Sequence, residues 1–154
     1  MSAEARITEL KLVLPPAPKP TGAYRPVLVA GNMAYVSGHA PLRADGLRIT
    51  GRVGAELDVE LGKAAARQCG LAILASLKAE LGSLDRVRRV VKVLGMVNAT
   101  PEFDQHPQVL NGCSEMFIEV FGPERGVGAR SAAGMSSLPG NIAVEVEAVF
   151  ELEP

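Results

Sequence analysis

The run Ile142-Ala143-Val144-Glu145-Val146-Glu147-Ala148-Val149-Phe150-Glu151-Leu152-Glu153 decides how the fold is read. Apolar residues stand at 142, 144, 146, 148, 150 and 152, and four of the intervening positions are glutamates. Successive side chains of a strand point to opposite sides of the sheet, so this period of two is a long β-strand with one apolar face. Just upstream, Leu138-Pro139-Gly140-Asn141 has the Pro-Gly order of a type II turn. Residues 129–137 are therefore expected to be its hairpin partner.

Working outward, Val87 to Val97 is β-branched or apolar at nearly every position, which predicts a strand covered on both faces. With helices on only one side of the sheet, the second cover would have to be another subunit. Val109, Cys113, Met116, Phe117 and Val120 share one face of a helix that Thr100 or Asp104 could open and Gly122-Pro123 would end. Asp58 is the expected N-cap of an earlier helix reaching Leu81, where Gly82 supplies the stop, with Ala66, Gly70, Ile73, Leu77 and Leu81 as its buried stripe. Val27–Ala30 and Met33–Gly38 flank the turn pair Gly31-Asn32 and read as a hairpin. Ile7, Leu10 and Val13 or Leu14 mark an appended helix that Pro15-Pro16 stops, and the proline-rich stretch 15–26 is an extended connector. The order ββ(β)αβαββ implies an α+β domain spanning 1–154, with 1–20 as a helix and Pro-rich leader.

Composition narrows function. Sixteen basic against seventeen acidic residues give a net charge of −1, and aromatics are only 4% with no Trp. Neither a phosphate-neutralising surface nor a set of stacking rings is available, so nucleic acid is an unlikely partner. Cys69 and Cys113 are the only cysteines and have no metal-ligand spacing; both read as core residues. No metal and no cofactor is expected. The apolar run Leu71 to Leu81 is broken by Lys78 and Glu80 and is short of a membrane span, and the N-terminal residues lack a signal-peptide pattern. A soluble, cytoplasmic protein is the expectation.

Several short motifs occur in a telling order: Thr21-Gly22-Ala23-Tyr24, Gly31-Asn32-Met33 through Ser37-Gly38-His39, Val109-Leu110-Asn111, Gly128-Ala129-Arg130-Ser131, Leu138-Pro139, and Val144 to Ala148. Together, over roughly residues 20 to 152, they make the chain resemble the YjgF/Rid family of reactive-intermediate deaminases, also called endoribonuclease L-PSP, as a diverged branch. The resemblance implies a chorismate-mutase-like subunit with a mixed sheet and two main helices on one face. It also implies a homotrimer whose sheets form a central barrel, with ligand clefts between subunits. The activity implied is hydrolysis of amino-acid-derived imines and enamines to keto acid and ammonia. Arg130 would clamp the substrate carboxylate and Glu145 would activate water, while Tyr24, Ser37, Gly38 and Asn111 line the cleft. Ala132 stands on the pocket floor where the best-known members carry cysteine, and His39 stands where many relatives have glutamine.

The chemistry is coherent by itself. A guanidinium matches a carboxylate with two parallel donors, and an imine carbon needs only a positioned water and a proton acceptor. Other readings of the same residues stand beside it. Arg130 could be a surface or ion-paired arginine, with Glu147 or Glu151 as partner, and alternating glutamates ordinarily form a solvated face. In the expected hairpin Arg130 and Glu145 share a face about 13 Å apart, with Glu147 nearer, so Glu145 ranks first only by resemblance. His39 is either a proton shuttle or an ordinary hydrogen-bonded histidine. The alternative functions are a non-catalytic trimeric binder of small carboxylates acting as sensor or chaperone, an endoribonuclease, and, on fold analogy alone, a chorismate mutase.

Overall fold

The computed structural model describes residues 1–154. Its elements are α1 (Ala3–Glu9), β1 (Val27–Ala30), β2 (Met33–His39), α2 (Val59–Leu81), β3 (Val87–Asn98), α3 (His106–Phe121), β4 (Ala129–Met135) and β5 (Val144–Leu152). The strands form one mixed sheet in the order β1-β2-β5-β3-β4. Helices α2 and α3 pack on one face of it, as the α+β reading expects. No helix is long and apolar enough to cross a membrane.

The local signals act as physical chemistry requires. The Asp58 side chain accepts the Leu61 N–H at 2.8 Å, and Gly82 ends α2 at a φ of 83°. A β-carbon at Gly95 would collide with the side chain of Leu110, so glycine there lets α3 lie close on the sheet. Even-numbered residues of β5 from Val144 to Leu152 are buried against the helices, with Phe150 fully enclosed between Phe117 and Phe121. Burying such side chains supplies most of the driving force, about 1.5–3 kcal/mol each.

The appended helix α1 is docked on the core. Ala3 and Ile7 join the core, and the Glu4 carboxylate accepts from Lys78 Nζ at 2.7 Å and from the Leu84 N–H at 2.9 Å. It also ends before the prolines. Lys11 takes a left-handed φ of 53° while the N–H groups of Lys11 and Leu12 return to the carbonyls of Thr8 and Ile7, closing the helix end.

Two expectations are corrected. First, β4 is not the hairpin partner of β5; it pairs in parallel with β3, from Lys92 opposite Ala129 to Asn98 opposite Met135. A parallel neighbour needs a crossover, and α3 is that connection. Residues 138–143 cross the end of β3 instead of turning back, with the Asn98 N–H donating to the Ala143 carbonyl and Asn98 Nδ2 to Asn141 Oδ1. Second, neither Thr100 nor Asp104 opens α3: its cap is Gln105, without a side-chain bond, and Pro107 sits in the first turn where its missing N–H costs nothing. Within the chain β3 is covered on one face, with Lys92, Leu94 and Met96 partly exposed on the other.

Candidate functional site

The end of β2 is where the sheet departs from regularity. Val36 stands opposite Ala148 and His39 opposite Val146, so Ser37 and Gly38 together face the single residue Glu147, a bulge that re-aims both side-chain directions. His39 turns inward and is 3% exposed. Its Nδ1 lies 2.6 Å from the Ser37 carbonyl and its Nε2 2.7 Å from Ser76 Oγ. A carbonyl only accepts, so the proton sits on Nδ1 and the Ser76 hydroxyl donates to Nε2. Burial holds the imidazole pKa below its usual value, against the opposing pull of the Ser37 carbonyl. His39 is thus neutral with both nitrogens engaged, the ordinary hydrogen-bonded histidine of the two options.

Gly38 faces the other way, against Glu145. A β-carbon at 38 would stand 2.9 Å from the Glu145 carboxyl carbon and collide with Oε1, so any larger residue here would push the carboxylate out of this seat. Burial first, and the charge of Glu147 second, raise the Glu145 pKa above the usual carboxylate value. Both residues line a cavity of about 380 Å³, together with Tyr24, Ser37, Lys19 and Arg48. Ser37 Oγ donates to the Arg25 carbonyl at 2.6 Å, and the half-exposed Tyr24 receives the Thr21 N–H at its hydroxyl, 3.4 Å away. Glu147, the alternative to Glu145, is exposed and outside this lining.

Arg130 is elsewhere. It lies on edge strand β4 and points toward α3, where Nη1 donates to Asn111 Oδ1 at 2.8 Å and to Ser114 Oγ at 3.2 Å. Asn111 and Ser114 are three residues apart, so one helix face presents both. Neither Glu147 nor Glu151 pairs with Arg130; Glu151 is taken by Arg88 and Arg89. With only Nη1 engaged, the parallel donors on Nε and Nη2 stay free for a planar oxyanion, beside a hollow of about 140 Å³. Ala132, on the same face two residues on, packs partly buried against the core.

The chain therefore holds two separate clusters: Tyr24, Ser37, Gly38 and Glu145 in the cavity, and Arg130 with Asn111 and nearby Ala132 at the β4 edge. The pairing that put Arg130 and Glu145 on one face is corrected by the register. Arg130 is opposite Val93, which is opposite Ala148, and Val93 and Ala148 face the helices. Glu145 is opposite Met96 on the other face. Two strand spacings across and three residues along put the backbones about 14 Å apart, with the sheet between the side chains. Lys19 and Arg48 escaped the sequence reading, since a cation in a proline-rich connector and one in an irregular loop carry no periodic signal. Ser114 was legible in principle, three positions beyond Asn111 in a helix.

Comparison with known proteins bears on this geometry. A family model described as "YjgF/chorismate mutase-like, putative endoribonuclease" matches residues 4–151. Protein TCP17 of Trypanosoma cruzi is 43% identical over 148 residues, covering 96% of this chain and 92% of that protein. A crystal structure from Shewanella oneidensis MR-1, with the same endoribonuclease label, has a TM-score of 0.93 at 30% identity, over 99% of this chain and 100% of its own. RidA from Psychrobacter sp. PAMC 21119 is more distant, with a TM-score of 0.61 at 26% identity, over 88% of this chain and 94% of its own.

Proposed function

The chain belongs to the YjgF/chorismate-mutase-like family, and from that membership we propose that it hydrolyses reactive 2-imino acids and their enamine tautomers to keto acid and ammonia. The reaction runs in clefts shared by neighbouring copies of a homotrimer. Arg130 of one copy grips the substrate carboxylate through Nε and Nη2 while Asn111 and Ser114 hold Nη1. Glu145 of the next copy supplies the acid–base group. Its carboxylate takes a proton from water as the water oxygen bonds to the imine carbon, and the C=N pair moves to nitrogen. The protonated Glu145 returns that proton to nitrogen to give the carbinolamine; it then takes the remaining hydroxyl proton and passes it to the same nitrogen, so that the C–N bond breaks, the C=O forms and neutral ammonia leaves.

The observation that carries this reading is the seat of Glu145: partly buried in a cavity against Gly38, with its pKa raised toward the range in which a carboxyl can both accept and give a proton. The separation of Arg130 from Glu145 within a chain is what a site completed by a second copy requires. Ammonia release from enzymatically generated 2-imino acids tests it. Arg130→Ala and Glu145→Gln should each lower the rate by at least about a hundredfold. Wild-type release no faster than the spontaneous reaction would leave a carboxylate-binding protein without catalysis.

A further inference from the structure

The Glu145 cavity carries more positive charge than a simple imino acid can use. Lys19 and Arg48 both line it, and none of the eight ion pairs in the chain includes either. Both stand on restrained backbone. Lys19 lies between Pro18 and Pro20, each with a fixed φ. Arg48 is bridged to Leu42 across a loop that the Arg43–Leu47 and Pro41–Ile49 backbone bonds close at 2.8 and 3.2 Å. Neither cation forms an ion pair with Glu145. The acid closest to Arg48 in sequence, Asp45, is paired with Arg43.

With Arg130 entering from a neighbour, the cleft holds three cations against one carboxylate. A substrate of charge −1 leaves that set unbalanced; one of charge −2 neutralises it. We infer that the substrate is a 2-imino dicarboxylic acid, its first carboxylate on Arg130 and its distal carboxylate on Arg48 and Lys19. This rests on the site proposed above, and names which of its substrates the chain prefers.

Binding of two stable keto acids of equal chain length, 2-oxoglutarate and 2-oxopentanoate, tests it by calorimetry. A second charge-assisted contact predicts that 2-oxoglutarate binds the wild type at least about tenfold tighter. In the double variant Arg48→Gln, Lys19→Gln the ratio should fall to about one. Both side chains are exposed, so the variant keeps its fold, which a melting curve verifies. Arg130→Ala should weaken both ligands alike. If Arg130→Ala weakens both but the wild type shows no preference, or the double variant retains it, the distal subsite is wrong while the shared site stands. If Arg130→Ala changes neither, the shared site itself fails. A double variant that sediments as a smaller species with the ratio intact would assign the two cations to subunit contacts and overturn the inference.

Discussion

His39 stands opposite Val146, the neighbour of Glu145 on β5, and the seats of Glu145 and His39 give pH effects of opposite sign. The Glu145 pKa is raised from 4.5, so ionising it costs stability in the folded state. That cost is absent below 4.5 and complete once pH has climbed past the raised value. Glu145→Gln should therefore melt higher than wild type at pH 7 while losing ammonia release, and the melting difference should close as pH falls below 4.5. A variant that melts lower at pH 7 would mean the carboxylate is a structural anchor and not a strained functional group. For His39 the pKa is lowered from 6.5, so the unfolded chain binds its proton first. Stability is full above pH 6.5 and drains away as pH drops toward the folded value. His39→Gln, which cannot titrate, should flatten that part of the stability curve, followed by denaturant midpoints between pH 7.5 and about 5. An unchanged slope would remove His39 from the pH response.

At the scale of elements, the helices rest on devices that the sequence states openly. Removing the cap of α2 with Asp58→Ala should cost about 1 kcal/mol by chemical denaturation, because the Leu61 N–H loses its acceptor. The alternation of β5, the Gly82 and Gly122 stops and the β1–β2 hairpin were legible for the same reason: each depends on neighbours in sequence. The placement of β4 was not. A four-residue Pro-Gly link is a strong hairpin cue, yet here Leu138, Ile142 and Ala143 are buried as the chain passes over the end of β3, and Ile142 bridges to Thr50. Which strand β4 joins is decided by α3 acting as a parallel crossover, a long-range fact that turn chemistry does not encode. The same error displaced the site, since it put Arg130 beside β5 and on the face that Glu145 occupies. The individual residues had been singled out by their motifs and not by their mutual register. The cavity's two free cations left no local trace at all.

At the scale of the whole molecule, each chain holds two separate residue clusters and exposes a sheet face without helices. That face carries Tyr35 and Leu28, each about half exposed, beside the partly exposed Leu94, Met96 and Val149. An apolar strip flanked by glutamates is suited to a copy of the same chain, and a ring in which the β4 edge of one copy meets the cavity of the next uses every half-site once. Such sharing has a quantitative signature. Arg130→Ala chains keep an intact Glu145, and Glu145→Gln chains keep an intact Arg130, so each is inactive alone. Co-expressed in equal amounts and assembled at random, a cleft is whole only when an intact Arg130 from one type meets an intact Glu145 from the other. Two independent choices of one half each make that about one cleft in four, whatever the size of the ring. The mixture should thus regain about a quarter of the wild-type rate of ammonia release, while the two variants purified apart and combined without exchange should regain none. Recovery near zero in a mixed assembly verified by mass would mean that both groups serve within one chain or serve different ends, and the division of the site between copies would have to be abandoned.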